Sequence, residues 1–115
     1  MLLIDLKTTA SPIGRFDETF EKYNYYRQLA FYSFCLEQAY PEYTLIGSYI
    51  VAVQTNKEFP CDVFKVDRSW IKKGTSEMHL LLDRVAYHMS CNNWGNSMET
   101  QLGMIQQLIL PDEDR

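Results

Sequence analysis

An acidic and a basic side chain stand two residues apart near the start of the chain, where the apolar residues 2–4 lead into Asp5, Leu6 and Lys7. The apolar start predicts a β-strand, and successive side chains of a strand point to opposite faces. Asp5 and Lys7 should therefore emerge together, while Leu6 points the other way into a core.

A carboxylate beside an ammonium group suits metal-assisted hydrolysis of a phosphodiester. Asp5 would bind a hard cation such as Mg²⁺, and Lys7 would orient or deprotonate the attacking water and offset charge on the phosphate. The same pair also fits an ordinary solvated salt bridge at a strand end. Residues 1–4 add no carboxylate or histidine that would decide between the two.

Length and composition predict one globular domain over residues 1–115, with residues 110–115 frayed. The chain has 115 residues, of which 46% are hydrophobic, enough for one modest core. No apolar run approaches the roughly 18 residues that span a bilayer, and Asp5 comes too early for a signal peptide. We therefore expect a cytoplasmic protein without membrane association.

The charge balance limits the kinds of partner. A net charge of -4 gives no large basic field for non-specific nucleic-acid binding. Any DNA contact should be local, or assisted by a metal ion or another chain. The three cysteines are odd in number and contain no Cys-x-x-Cys pair, which favours reduced, mostly buried thiols over disulfides or zinc.

Hydrophobic spacing predicts six elements. The opening strand is followed by a helix over about 13–22, and then by a helix capped by Asn24 and stopped by Pro41. A strand at 45–53 should be buried on both faces, and a strand at 61–66 should run antiparallel to it. Asp67 or Ser69 can cap a last long helix that contains Gly74 as a weak point and ends at 92–96, before a mildly apolar tail at 97–110.

The order β-α-α-β-β-α predicts an α/β fold with a thin, three-stranded mixed sheet and flanking helices. An unpaired edge of the first strand would lie open or pair with another chain. We therefore expect self-association, or cover from a further N-terminal segment.

Several motifs in a fixed order point to one family. They are the strand Ile4-Asp5-Leu6-Lys7-Thr8-Thr9, the pair Phe16 and Phe20, the helix Tyr23-Asn24-Tyr25-Tyr26-Arg27-Gln28-Leu29-Ala30-Phe31-Tyr32, strands at 49–53 and 63–66, a long helix, and Trp94 ahead of Leu110-Pro111. Together they resemble the C-terminal half of the PD-(D/E)XK nuclease domain of the phage-type exodeoxyribonuclease VIII group, a truncated restriction-endonuclease-like core.

The resemblance implies roles for particular residues. Asp5 and the backbone carbonyl of Leu6 would be metal ligands for Mg²⁺ or Mn²⁺, and Lys7 would be catalytic. Gln28 would lie near the active site, with Tyr25 and Tyr32 on the same helical face. Spacing supports this placement, because Gln28 falls within the apolar stripe and its buried amide needs partners. Thr8 would donate to a substrate phosphate, or simply cap the strand end.

The chain departs from this family in one respect. The family carries, ahead of the Asp-x-Lys strand, a helical region and a hairpin whose aspartate is the other principal metal ligand, and we expect both to be absent here. Asp62, Asp67 and Glu37 have no spacing that would make them substitutes, so they are expected to be solvated surface charges.

Two functions remain open. The first is a metal-dependent exodeoxyribonuclease of phage or recombination type that acts on double-stranded DNA ends, incomplete or inactive alone. The second is a non-catalytic remnant that serves as a DNA-end-binding or oligomerisation module.

Overall fold

The computed structural model describes residues 1–94 and 108–109. Apart from 108 and 109, the predicted tail at 97–110 and the predicted fraying at 110–115 lie outside the described residues. The chain divides into two compact units, Met1–His79 and Leu80–Arg115. The sheet and the helices that pack on it belong to the first unit.

The first unit contains a three-stranded mixed sheet. Strand β1 (Leu2–Thr9) pairs in parallel with β2 (Gly47–Gln54), and β2 pairs antiparallel with β3 (Cys61–Val66). The strand order is β1-β2-β3, so β1 forms one edge of the sheet. The parallel pairing of β1 and β2 follows from the helical crossover between them, and the short loop after β2 requires an antiparallel return.

Three helices complete the described part of the fold. A 3₁₀ turn at Ile13–Arg15 leads into α1 (Phe16–Lys22), α2 follows at Tyr25–Ala39, and α3 runs from Arg68 to Cys91. The predicted α/β class, the mixed sheet and the order β-α-α-β-β-α are confirmed. Asp67 caps α3, since its carboxylate accepts hydrogen bonds from both the backbone N–H and the hydroxyl of Ser69, which lowers the pKa of Asp67.

The core lies between one face of the sheet and the first two helices. Its largest fully buried side chains are Leu29 of α2 and Ile50 of β2. The other buried apolar members of this cluster are Leu3, Phe16, Phe20, Tyr26, Ala52 and Val66. Phe16 stacks on Phe64 with ring centroids 5.0 Å apart, so the start of α1 is held against β3.

The opposite face of the sheet differs from the prediction. Leu6 was expected to enter a core, but its side chain is 66% exposed, and Ile4 beside it is 62% exposed. The inward positions of β2 are buried, whereas its outward positions are only half-buried, so the prediction that β2 is buried on both faces was wrong. The reason is that the core cluster lies on one face of the sheet.

Asn24 does not cap α2 in the predicted way. It occupies the position before the helix, but in the left-handed conformation with φ 54°, and its side chain makes no capping hydrogen bond. The turn between α1 and α2 is too tight for the extended conformation of a capping residue, and asparagine tolerates the left-handed region better than most residues. Its backbone carbonyl instead accepts a hydrogen bond from Arg27.

Gly74 is a packing position rather than a weak point of α3. A Cβ atom built there would lie 2.6 Å from the carbonyl oxygen of Tyr26 and 2.9 Å from the Cβ of Ala30. Helix α3 therefore approaches the backbone of α2 so closely that only glycine fits at this point.

The cysteines are not buried as expected. Cys35, Cys61 and Cys91 are all free and exposed. Cys35 lies in α2, Cys61 begins the edge strand β3, and Cys91 ends α3, so none of them faces the core cluster. Within the part of the chain that the structure describes, no helix is both long and apolar enough to cross a membrane.

Candidate active site

Alternation along β1 places Asp5 and Lys7 on the face that the helices cover. Asp5 is in register with Ile50 and Lys7 with Ala52, and both β2 partners are fully buried. The side chains of Asp5 and Lys7 keep 17% and 16% of their surface exposed. The pair is thus held at the margin of the core, with access to solvent, rather than on an open surface.

Lys7 is fixed by three neighbours of different chemistry. Its Nζ lies 3.1 Å from Oδ2 of Asp5, and it donates a hydrogen bond to Oε1 of Gln28. It also lies 4.7 Å from the centroid of the Tyr25 ring, where a cation is attracted by the negative face of the aromatic system. A lysine side chain has four rotatable bonds, and these contacts select one orientation for the ammonium group.

Gln28 connects the strand to helix α2. Its carbonyl oxygen accepts from Lys7, and its Nε2 donates to the hydroxyl of Tyr32 across 2.8 Å. The amide therefore has partners at both ends, as its place in the apolar stripe required. The structure brings together five of the residues selected from the sequence, which are Asp5, Lys7, Tyr25, Gln28 and Tyr32, and we call them the Asp5–Lys7–Gln28 cluster.

One oxygen of Asp5 lacks a hydrogen bond. Oδ2 is buried, and although it lies close to Lys7 Nζ, no donor among the described residues meets hydrogen-bond geometry to it. A buried oxygen of this kind normally has a donor or a cation as its partner. In this structure the Lys7 ammonium is that cation, 3.1 Å away. A carboxylate oxygen is also the type of ligand that a hard cation such as Mg²⁺ takes.

The remaining donors for a metal are few. Across residues 1–94 and 108–109, no group of three or more histidine, cysteine, aspartate or glutamate side chains is placed to hold a metal ion. Mg²⁺ is commonly bound through one or two carboxylates together with waters and substrate phosphates. Asp5 and the Leu6 carbonyl thus fit part of such a site.

Two of the residues selected from the sequence lie outside the cluster. The Thr8 side chain is exposed and, one residue after Lys7, points to the opposite face of β1. The Leu6 side chain also points to that face, so Leu6 can contribute only through its backbone carbonyl between Asp5 and Lys7. The three acids judged to be surface charges, Glu37, Asp62 and Asp67, are exposed.

A buried polar network holds the end of β1 in place. The sequence did not predict this network. Gln54, 5% exposed, accepts a hydrogen bond from the backbone N–H of Ile13 and donates one to Asn56. Asn56 in turn donates to the carbonyl of Ala10. The network connects the loop after β1 to the end of β2. The feature of the sequence that could have predicted it is a glutamine, Gln54, at an inward-facing position of β2.

An ion pair fixes α2 beside the cluster. Arg27, next to Gln28 in sequence, donates through Nε to Glu77 of α3 across 2.9 Å. This interaction lowers the pKa of Glu77 and raises that of Arg27, while the nearby Glu77 carboxylate raises the pKa of Tyr26. The rotation of α2 that aims Gln28 at Lys7 is thus supported from the α3 side.

The larger of two cavities in the first unit is not at this cluster. It measures about 850 Å³ and lies where β2 begins and β3 ends, with Ser48, Lys65, Arg68 and Lys72 among its lining residues. None of the five cluster residues lines it. Size alone would select this cavity, whereas the arrangement of chemical groups selects the cluster.

Comparison with known proteins agrees with the motif on β1. The profile of a family described as a PDDEXK-like domain of unknown function (DUF3799) matches residues 1–101. A search of curated proteins found no match. Since the profile covers most of the chain, this chain belongs to the PDDEXK-like domain family.

Proposed function

We propose that this chain carries the catalytic half of a metal-dependent deoxyribonuclease that hydrolyses phosphodiester bonds at the ends of double-stranded DNA. A PDDEXK-like domain indicates a nuclease-type fold that would act on DNA. The finer assignment, an exonuclease of the phage recombination type, rests on the Asp-x-Lys-Thr strand and the Tyr-x-x-Gln-x-x-x-Tyr helix. Mg²⁺ or Mn²⁺ would be the cofactor.

The observation that carries the proposal is the contact between Lys7 and Gln28. A surface salt bridge between Asp5 and Lys7 would need no third partner, and its contribution to stability would be small. Here the ammonium is instead aimed by an amide from another element and by an aromatic ring. Such support is expected where one orientation of a reactive group matters.

The side chains have distinct tasks in this proposal. Asp5 and the Leu6 carbonyl would hold the divalent cation, which would polarise the phosphate and the attacking water. Lys7 would orient that water or accept its proton and offset charge on the scissile phosphate. Gln28 would keep Lys7 in position, and Tyr25 and Tyr32 would shape the approach to the substrate.

A second candidate is favoured by the small number of ligands. Because the described residues offer no group of three metal-ligating side chains, the chain could serve as a non-catalytic module that binds DNA ends or assembles with other chains. In that case Asp5 and Lys7 would be a structural pair. Metal binding and strand cleavage would then both be absent.

Incubation of the protein with end-labelled linear duplex DNA and Mg²⁺ or Mn²⁺ separates the two candidates. The nuclease proposal predicts shortening of linear DNA, with closed circular DNA spared. Lys7→Met should lower the rate at least about 100-fold, the lower end of the effect of an acid-base group. Asp5→Asn, which removes the charge of the proposed metal ligand, should also lower the rate. Glu37→Gln, which changes an exposed acid nine residues beyond Gln28 on α2, is the matched control and should retain the full rate.

Intact linear DNA at all metal concentrations would overturn the nuclease proposal for this chain by itself. Retention of labelled ends without shortening, equal for the unmodified protein and both variants, would support the non-catalytic module. Circular dichroism of each variant shows whether a lost rate reflects a lost fold.

A further inference from the structure

Three aromatic rings stack in series from the core of the first unit to its surface. Phe16, which is buried, stacks on Tyr25 with ring centroids 6.2 Å apart. Tyr25 in turn stacks on Tyr23, with centroids 5.8 Å apart and ring planes inclined by 25°. Because Tyr25 also contacts the ammonium group of Lys7, the outer ring of the series lies next to the candidate catalytic group.

The outer ring, Tyr23, is exposed and yet held in place. It keeps 58% of its surface exposed. Tyr23 directly follows α1, and its backbone N–H donates to the carbonyl of Thr19 across 3.1 Å. Asn24 then takes the left-handed conformation, and α2 begins at Tyr25. One turn residue thus separates the two stacked tyrosines, and the backbones of two helices fix their relative position.

An exposed aromatic ring in a fixed position suits a nucleobase. Bases stack on aromatic side chains of proteins that bind single strands, and every base offers a flat face, so the contact tolerates any sequence. A base inside a duplex has both faces covered by its neighbours and must leave the stack to reach a protein ring. A DNA end can supply such a base, because its last base has one free face or is unpaired.

A basic group lies beside the same ring. Nζ of Lys22 is 5.4 Å from the centroid of Tyr23. The side chain of Lys22 is exposed and flexible, so it can leave the ring face to a base and contact the phosphate of the same nucleotide. With a net charge of -4, the protein has no large basic field that would bind a nucleotide elsewhere without such a local contact.

We propose that Tyr23 is a stacking platform for an unpaired base at a DNA end, and that Lys22 contacts the phosphate of that nucleotide. This inference rests on the proposed function and deepens it, since it names the form of DNA that the cluster receives. That form is an end whose last base pair is open, or one with a single-stranded extension. A base on Tyr23 brings the phosphates of its strand toward Lys7, because only the Tyr25 ring separates the two.

Removal of the ring and of the base, separately and together, tests the stack. Fluorescence anisotropy in Ca²⁺ measures the affinity for a labelled duplex with a short 5′ or 3′ extension. Tyr23→Ala should weaken binding about 5- to 100-fold, the range of base–aromatic stacking, and Tyr23→Phe should bind like the unmodified protein. An abasic extension should weaken binding to the unmodified protein by a similar factor. It should make no further difference to Tyr23→Ala.

A fluorescent base gives an independent readout. 2-Aminopurine, whose emission is quenched when it stacks, should lose fluorescence on binding to the unmodified protein and to Tyr23→Phe. Bound to Tyr23→Ala, it should keep its fluorescence. Lys22→Gln should weaken binding of the normal and the abasic extension equally, because a phosphate contact does not need the base.

Tyr43→Ala is the matched control. Tyr43 is 59% exposed, close to the value for Tyr23, and its neighbour Thr44 accepts a hydrogen bond from the amino group of Met1, at the other end of β1 from Lys7. The variant should leave both the affinity and the fluorescence change unaltered. Circular dichroism establishes that each variant is folded. If Tyr23→Ala is unfolded, Tyr23→Leu, which keeps apolar bulk without a ring, replaces it.

Three results would overturn the platform. They are equal affinity of the unmodified protein for the normal and the abasic extension, an equal effect of the abasic extension on the unmodified protein and on Tyr23→Ala, and no measurable binding of the extended duplex. Cleavage of DNA in Mg²⁺ without coupling between ring and base would refute the platform alone. Coupling without cleavage would refute the nuclease proposal alone.

Discussion

The ammonium group of Lys7 is held in one position by three neighbouring side chains. Asp5, Gln28 and the Tyr25 ring each contact it from a different direction. Strand alternation was enough to predict that Asp5 and Lys7 share a face. Residue spacing alone could not predict the hydrogen bond between Gln28 and Lys7, because that bond depends on how α2 is rotated above β1.

The same alternation explains a residue that did not join the cluster. Thr8 follows Lys7 directly, so its side chain must point to the other face of β1. The inward threonine of the pair is Thr9, which is buried and whose hydroxyl accepts a hydrogen bond from the backbone N–H of Ser11.

Replacement of Gln28 tests the cluster at this scale. Gln28→Leu removes the acceptor of a charged donor and the partner of the Tyr32 hydroxyl, so the free energy of unfolding in urea should fall by about 1–3 kcal/mol. Tyr32→Phe, which removes only the second contact, should cost about 1 kcal/mol or less. Equal stability of Gln28→Leu and the unmodified protein would show that the amide does not hold Lys7.

At the scale of elements, α2 is fixed from two sides. Its inner face enters the core through Leu29, and its flank meets α3 at Gly74 and Glu77. The sequence predicted both helices and their approximate ends from hydrophobic spacing. It did not predict the close approach at Gly74. From sequence alone, a glycine that weakens a helix cannot be distinguished from one that lets a second helix pack closely.

Substitution of Gly74 measures that approach. Gly74→Ala should lower the free energy of unfolding by about 1–3 kcal/mol, since the added methyl group would overlap the backbone of Tyr26. Gly14→Ala is the matched control, as a Cβ there meets no atom within 4 Å. A Gly74→Ala variant as stable as Gly14→Ala would contradict the packing described for α2 and α3.

The Arg27–Glu77 ion pair predicts a pH dependence. Because the folded state lowers the pKa of Glu77, the stabilisation is present above the ordinary glutamate value of about 4.3 and is lost as the pH falls through the lower, folded value. Thermal melts from about pH 6 to pH 3 should show a steeper loss for the unmodified protein than for Glu77→Gln. Glu37→Gln, an exposed acid, should follow the unmodified curve.

At the scale of the molecule, hydrophobic spacing could not reveal that the described residues cover only one face of the sheet. The pattern of β2 indicated burial on both sides, and the structure gives burial on one. Apolar residues such as Leu6 satisfy the strand pattern equally well whether they face a core or a partner. The sequence therefore predicted the elements and their order more completely than it predicted what covers them.

The net charge bears on the affinity of the protein for DNA. With a net charge of -4, the protein should bind a labelled duplex weakly in the presence of EDTA, and measurably tighter when Ca²⁺ is added at the same ionic strength. Fluorescence anisotropy at two salt concentrations measures both effects. Tight binding in EDTA that is lost steeply with salt would indicate a basic DNA-binding surface instead of metal-assisted contact.

The most direct test of the nuclease account is a titration of the DNA-free protein with Mn²⁺, in which calorimetry measures the heat of binding. The account predicts saturable binding that Asp5→Asn abolishes and that Glu37→Gln leaves unchanged, because the buried oxygen of Asp5 is the proposed ligand. Lys7→Met should retain binding, since the ammonium acts on water and phosphate and not on the metal. Equal binding by the unmodified protein and Asp5→Asn, or none by either, would contradict it.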